Sequence, residues 1–166
     1  MENPANSKLP RITSESGLIS ADQIRETLRS FCNVDDTNIA FAIVEINGKK
    51  QTLVALDGIE PVPGTMPTPE TTLLEPEMNL VLPTNTHAVF KILELLAQRH
   101  KHDGTGHIAL FTEQDPCEES CNPIINCRFP KAVDHRITIS VTSVYANSDA
   151  RQRGVASRVA KMKLAN

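Results

Sequence analysis

The chain has 166 residues, of which 40% are hydrophobic, so it is long enough for one domain with an apolar core. It contains no tryptophan and only 4% aromatic residues, so that core must be mainly aliphatic. The formal net charge of −3 excludes nucleic-acid binding through bulk basic charge, and no apolar run reaches membrane-spanning length.

The N-terminal part of the chain divides into an arm and a helix. Residues 1–17 mix Asn, Pro, Ser and Glu without periodicity, so we interpret them as a disordered arm. Residues 18–166 are expected to form a single domain. It should open with a helix from Ser20 to about Asn33, because Gln23 completes a capping box and apolar residues recur at helical spacing.

A pair of strands follows this helix. Residues 38–46 are nearly all apolar and rich in β-branched side chains, which predicts a strand with both faces covered. Asn47-Gly48 is a strong hairpin signal. The return strand over residues 51–56 should therefore pair with the first strand in the antiparallel sense.

A proline-rich connection covers residues 58–83. Connections of this length are unusual inside compact domains and are often functional. Two interpretations stay open at this stage. The segment is either a flexible insert or a loop that roofs a substrate cleft.

Helices and strands alternate in the second half of the chain. We expect a buried helix capped by Thr84 or Asn85 and ending near His100, followed by four more elements. These are a strand over residues 107–112, a helix from Cys117 to Cys127, a half-exposed strand over residues 136–144 and a basic helix from Ser148. This order predicts an α/β fold with a mixed sheet.

The residue types at two of these helix starts are those of a metal site. Cys117 and Cys121 follow Pro116 with i, i+4 spacing, so both sulfurs face one side of a helix. A helix amino terminus lowers thiol pKa and favours metal binding. His87 lies in the first turn of the preceding helix. Three ligands leave a fourth tetrahedral position open, as in catalytic zinc sites.

Other interpretations of the histidines and thiols remain. A structural zinc would need a fourth protein ligand, and His100, His102, His107 and Cys127 are candidates. A small disulfide-bonded protein is a further alternative. Cys32 and Cys127 have apolar neighbours in predicted helices, so we expect them to be ordinary core thiols.

Zinc deaminases carry H-x-E followed by P-C-x-x-C, in which the Glu is the general acid/base. This chain has His87-Ala88-Val89 and, later, Pro116-Cys117 with Ser120-Cys121. With these motifs it resembles the cytidine deaminase superfamily, and within it the bacterial toxin deaminases of polymorphic and interbacterial toxin systems. The likeness spans about residues 38–142 and includes Asn38-Ile39-Ala40, residues 90–94, residues 106–113 and Arg128-Phe129-Pro130.

The resemblance implies a fold and an activity. The fold would be a three-layer α/β/α sandwich with a mixed sheet. The activity would be the hydrolytic deamination of cytosine in nucleic acid, with DNA favoured over RNA and adenine as the alternative base. The resemblance places Zn2+ on His87, Cys117 and Cys121. It places substrate contacts at Asn38, Thr112, Glu113 and Pro116.

The resemblance also implies a biological setting. The chain would be a toxin domain that acts in the cytoplasm of a target cell after secretion or delivery; otherwise it would be a cytoplasmic protein. An immunity protein would be a possible partner, and no membrane would be involved. The basic last helix, residues 151–163, is either the contact to the nucleic-acid backbone or a solvated amphipathic helix.

Two departures from the superfamily pattern stand out. The two cysteines are one residue further apart than in the common form, which still leaves both on one helical face. More seriously, Val89 occupies the position of the acid/base Glu, and valine has no titratable group. Glu94 lies about 140° further round the helix and should point elsewhere. Rescue by Glu113, expected in a loop beside the substrate, or by Glu118 is a minor alternative.

Val89 therefore has three interpretations. The chain is an inactivated form of an active enzyme, or a natural non-catalytic module that binds nucleic acid or a protein partner. In the third interpretation Val89 is simply a core residue of a helix that never carried the Glu. In the first two, zinc binding is expected to survive while turnover is lost.

Overall fold

The structure, a computed structural model, describes residues 24, 26, 37–58, 65–70, 72–75, 86–114 and 121–145. Ile24 and Glu26 are helical, as predicted, and Ile24 is completely buried. The predicted N-terminal arm and the basic C-terminal helix lie outside the described residues. The elements in chain order are β1 (Ile39–Ile46), β2 (Lys49–Leu56), α1 (Ala88–His100), β3 (Gly106–Gln114), α2 (Cys121–Pro123), a π-helix (Ile124–Arg128), α3 (Phe129–Ala132) and β4 (Ile137–Tyr145).

The described strands form one four-stranded sheet in the order β2-β1-β3-β4. β1 pairs antiparallel with both β2 and β3, whereas β3 and β4 are parallel. The predicted α/β class with a mixed sheet is therefore confirmed. Asn47 and Gly48 have φ values of 54° and 79°, so the hairpin turn adopts the left-handed backbone that its sequence predicts.

Both faces of β1 are buried, as its continuous apolar sequence predicts. Ala40, Ala42 and Val44 lie in the main core cluster together with the apolar side of α1. Ile39 and Phe41 alternate with them and point to the opposite face, where Phe41 stacks on Phe111 with ring centroids 4.8 Å apart. This packing places the first residues of β1 beside the last residues of β2 and β3.

The described parts of the proline-rich connection are fixed to the core. Met66 donates its backbone N–H to the Val54 carbonyl over 2.8 Å, and both Met66 and Leu74 are buried. The Glu94 carboxylate accepts the N–H groups of Leu73 and Leu74 over 2.8 and 3.0 Å. For residues 65–70 and 72–75 these contacts favour an ordered loop over a flexible insert.

The same segment borders a cavity. The cavity has a volume of about 410 Å³ and lies between residues 66–70 and the side of α1 that carries Lys91, Glu94 and Gln98. On the other side of the segment, Arg128 donates to the carbonyl oxygens of Leu74 and Glu75. The connection is therefore held by α1 and by the π-helix together.

The helix after Cys121 differs from the prediction. It continues past Cys127 to Ala132, and its middle turn is π-helical. Pro130 has no N–H to donate and its ring crowds an ordinary helical turn, so the backbone widens here and Phe129 N–H donates to the Ile124 carbonyl. Cys127 is exposed, so its expected role as a core thiol is wrong. Cys32 lies outside the described residues.

Of the helices in the described part of the chain, none combines the length and the apolarity that a membrane crossing needs.

Candidate metal centre and its polar surroundings

The centre is built around the first residue before α1. The N-cap of this helix is His87, with φ −76° and ψ 140°, and its side chain makes no capping hydrogen bond. The predicted cap at Thr84 or Asn85 is therefore wrong, and both residues lie outside the described part of the chain. The helix begins later because an acceptor just after β2 takes the first amide: Ala88 N–H donates to Asp57 Oδ1 over 2.7 Å.

Two of the three predicted metal ligands lie together. His87 Nδ1 is 3.2 Å from Cys121 Sγ, although the two residues are 34 positions apart in the chain. Ligands at ordinary Zn–N and Zn–S distances on a tetrahedral ion are about 3.6 Å apart. The pair is therefore close to the geometry of two ligands on one ion. Cys121 is buried, while His87 is half-buried.

The third predicted ligand, Cys117, lies outside the described residues, as do Pro116 and Glu118. In the described ranges no group of three or more His, Cys, Asp and Glu side chains is arranged to hold a metal ion. The described residues therefore do not contain a complete set of metal ligands. His87 and Cys121 contribute two donors.

The alternative fourth ligands lie away from this pair. His100 is at the far end of α1, about 20 Å along the helix axis from His87. His107 is exposed, and its ring nitrogens are 2.6 Å from Thr138 Oγ1 and 3.0 Å from Ser140 Oγ. His102 and Cys127 are exposed as well. No disulfide joins Cys121 and Cys127, so the disulfide alternative gains nothing from the described thiols.

Val89 is part of the apolar core. It is only 3% exposed and belongs to the same buried cluster as Cys121 and Ile124. A carboxylate at this position would have to be desolvated, which costs several kcal/mol unless a partner is present. The third interpretation of Val89, that of a core residue, thus has structural support.

Of the carboxylates considered as substitutes, the two in the described part of the chain are engaged elsewhere. Glu94 points away from the pair, as predicted, and its Oε1 and Oε2 accept from the connection and from Gln98 Nε2. Glu113 was expected in a loop, but it lies in β3 and is 1% exposed. Its Oε1 accepts Ile39 N–H over 2.9 Å, so the carboxylate serves as the hydrogen-bond acceptor for the first residue of β1.

Three of the four predicted substrate contacts, Asn38, Thr112 and Glu113, lie at the ends of neighbouring strands, and Pro116 is outside the described residues. Asn38 and Thr112 are both buried, and Asn38 Nδ2 lies 3.5 Å from Thr112 Oγ1. Asn38 Nδ2 is also 3.5 Å from Asp57 Oδ1. Because Asp57 accepts from Ala88, Asn38 is connected through one carboxylate to the residue next to His87.

Two residues that the sequence analysis passed over dominate this network. Lys91 is 4% exposed, and its Nζ donates to the carbonyl oxygens of Leu56 and Gly58 over 2.7 Å each. Burial lowers the pKa of Lys91 to about 8, against the opposing effect of the nearby Asp57 carboxylate. Burial raises the pKa of Asp57, against the Ala88 hydrogen bond and the charge of His87.

One sequence signal pointed to Lys91. It is a charged residue between Phe90 and Ile92, in a helix that is apolar over most of its surface, and such a residue needs buried partners. Asp57 has no comparable signal, because an Asp-Gly pair after a strand is also an ordinary turn sequence.

Comparison of the chain with protein-family models, with curated proteins and with solved structures gives no match.

Proposed function

We propose that this chain is a zinc-binding domain of the cytidine deaminase type, whose hydrolytic deamination of cytosine in nucleic acid is impaired at Val89. The observation that carries the proposal is the 3.2 Å approach of His87 Nδ1 to Cys121 Sγ. It joins two motif residues that are far apart in the sequence, the N-cap of α1 and the first described residue of α2. The order of the motifs along the chain and this contact both support a shared site for His87 and Cys121.

In this proposal His87, Cys117 and Cys121 hold Zn2+. When bound, the metal would supply a water acidic enough to act as nucleophile near neutral pH. The residues of the chain supply the remaining chemistry. Asn38, Thr112, Glu113 and Pro116 form the substrate side of the site, and the proximity of the first three at adjoining strand ends supports this assignment.

The missing step is proton transfer. Deamination requires a group that takes a proton from the attacking water and delivers it to the ring nitrogen and the leaving amine. Val89 has no atom that can do so, and Glu94 and Glu113 accept backbone amides instead. We therefore propose zinc binding with very slow turnover for the chain as it stands.

The finer features of the superfamily belong to the same proposal. They are the three-layer α/β/α arrangement, a DNA rather than RNA substrate with adenine as the alternative base, and a toxin role in a target cell opposed by an immunity protein. Burial on both faces of β1 supports the layered fold. The remaining features rest on the resemblance of the motifs.

Restoration of the carboxylate tests the proposal. Val89→Glu should bind one zinc and convert cytosine to uracil within DNA or RNA, with release of ammonia, while Val89→Gln, which has nearly the shape of the Glu variant, should bind zinc and stay inactive. Metal content is measured by elemental analysis, folding by circular dichroism and deamination by mass spectrometry of the oligonucleotide. Absence of zinc from the folded wild-type protein would refute the proposal outright.

A second candidate function is a non-catalytic module that binds nucleic acid or a protein partner. The burial of Val89 in the core favours it, because the site is then packed without an acid/base residue. This second function is supported if Val89→Glu folds and binds zinc yet deaminates no cytosine or adenine substrate. Retention of an oligonucleotide or a partner by the wild-type protein would then identify its ligand.

A further inference from the structure

Helix α1 starts without a cap of its own. Its N-cap residue, His87, makes no side-chain capping bond, and no acidic residue lies in its first turn. A residue at this position normally accepts an amide from the first turn with its own side chain. Here the imidazole is turned towards Cys121 instead, with Nδ1 3.2 Å from Sγ. The amides of the first turn, including that of Ala88, therefore need acceptors from elsewhere in the chain.

Asp57, just after the end of β2, supplies the acceptor for Ala88. Its Oδ1 lies 2.7 Å from the Ala88 nitrogen, at the peptide that follows His87. Asp57 is in turn held by β1, because its own N–H donates to the Asn38 carbonyl over 3.1 Å. The acceptor is thus attached to the sheet and not to the helix.

Lys91 fixes the same corner from the other direction. It lies one turn into α1, and its ammonium group donates to the carbonyls of Leu56 and Gly58, which flank Asp57. Gly58 N–H also donates to the Thr86 carbonyl over 2.9 Å. Hydrogen bonds therefore run both ways between residues 56–58 and the first turn of α1, and they leave little freedom to rotate the His87–Ala88 peptide.

We propose that Asp57 and Lys91 are positioning residues that aim the His87 ring at Cys121, with Asp57 as a cap provided by tertiary structure. The two roles fall to different residues for a physical reason: one His87 side chain cannot both cap the helix and present its ring nitrogen to a metal. The role of the pair in metal affinity rests on the proposed function, whereas its role in holding the start of α1 does not.

Matched substitutions separate positioning from general stability. Asp57→Ala removes the acceptor, Asp57→Asn keeps an oxygen for Ala88, and Asp103→Ala makes the same change at an exposed site just beyond the other end of α1. Lys91→Met is paired with Lys101→Met in the same way. Zinc affinity is measured by competition with a chromophoric chelator, and site geometry by the visible absorption of the Co2+-substituted protein.

We expect Asp57→Ala to weaken zinc binding by about 10- to 100-fold, the range typical of residues that orient a ligand. Lys91→Met should weaken it less, and Asp57→Asn should recover most of the loss. The Co2+ spectrum of Asp57→Ala should change in intensity, since the ligand angles relax. The Asp103 and Lys101 variants should match the wild type.

Amide hydrogen exchange provides a reading that needs no metal. Exchange at Ala88 should accelerate in Asp57→Ala and Lys91→Met and stay unchanged in the two controls. Unchanged exchange there would overturn the inference, as would unaltered zinc affinity and Co2+ spectrum in a folded Asp57→Ala. A wild-type protein without zinc affinity would refute the proposed function instead, and the exchange data would still decide whether Asp57 holds the helix.

Discussion

Replacing Glu94 with alanine tests how far the proline-rich connection depends on one buried carboxylate. Glu94 is completely buried, and its carboxylate accepts the amides of Leu73 and Leu74 and the side-chain amide of Gln98. The alanine variant leaves the two backbone donors without this acceptor and frees Leu74, which is 1% exposed, to leave the core.

The expected cost follows from these contacts. Each hydrogen bond to a charged group contributes about 1.5–3 kcal/mol, so loss of the two backbone bonds should lower the free energy of unfolding by about 3–6 kcal/mol. For a chain of this length that corresponds to a fall in Tm of about 10 °C. Glu94→Gln keeps one acceptor oxygen and should lose roughly half as much.

Urea denaturation followed by circular dichroism is the appropriate assay, because the chain has no tryptophan for fluorescence. Glu70→Ala is the control, since Glu70 lies in the same connection and is exposed. A loss below about 1 kcal/mol in Glu94→Ala, or an equal loss in Glu70→Ala, would refute the view that this carboxylate anchors the connection.

Three further predictions concern charged groups. The pKa of Lys91 is lowered to about 8 from 10.5, so between these two pH values the folded state binds fewer protons than the unfolded state. The free energy of unfolding should therefore rise as pH increases from 8 to 10.5, and Lys91→Met should abolish this rise in urea titrations. Burial lowers the pKa of His100, so its contribution to stability should be lost as pH falls below 6.5, and NMR should place the titration of its ring below the ordinary histidine value of 6.5. Arg136 donates to the carbonyls of His100 and Gly104 over 2.7 and 2.8 Å, so Arg136→Ala should destabilise the end of α1 by about 2 kcal/mol in thermal unfolding, with a smaller loss for Arg136→Lys.

The elements that the sequence predicts well are those with local causes. The Asn47-Gly48 turn determines its own backbone and, with it, the antiparallel pairing of β1 and β2. The start of α1 was misplaced, because its cap is Asp57, 31 residues earlier in the chain. No local pattern around Thr84 or Asn85 contains that information.

The candidate site divides in the same way. His87 Nδ1 and Cys121 Sγ lie 3.2 Å apart, as two ligands of the predicted metal site should, and their role as ligands stays a prediction. The position of Cys127 was predicted wrongly, because the π-helical turn changes which side chains face the core and exposes it. The partners of Lys91 could not be predicted for a further reason: they are backbone carbonyls, which leave no trace in the amino-acid sequence.

The cap provided by Asp57 limits how far the metal site can be separated from its domain. A peptide spanning residues 86–132 would contain all three predicted ligands within a short stretch of sequence. It would lack Asp57, and with it the acceptor for Ala88 and the carbonyls that Lys91 binds. Such a fragment should therefore behave as an unstructured thiol peptide, and grafting the motif onto another scaffold would require the end of β2 as well.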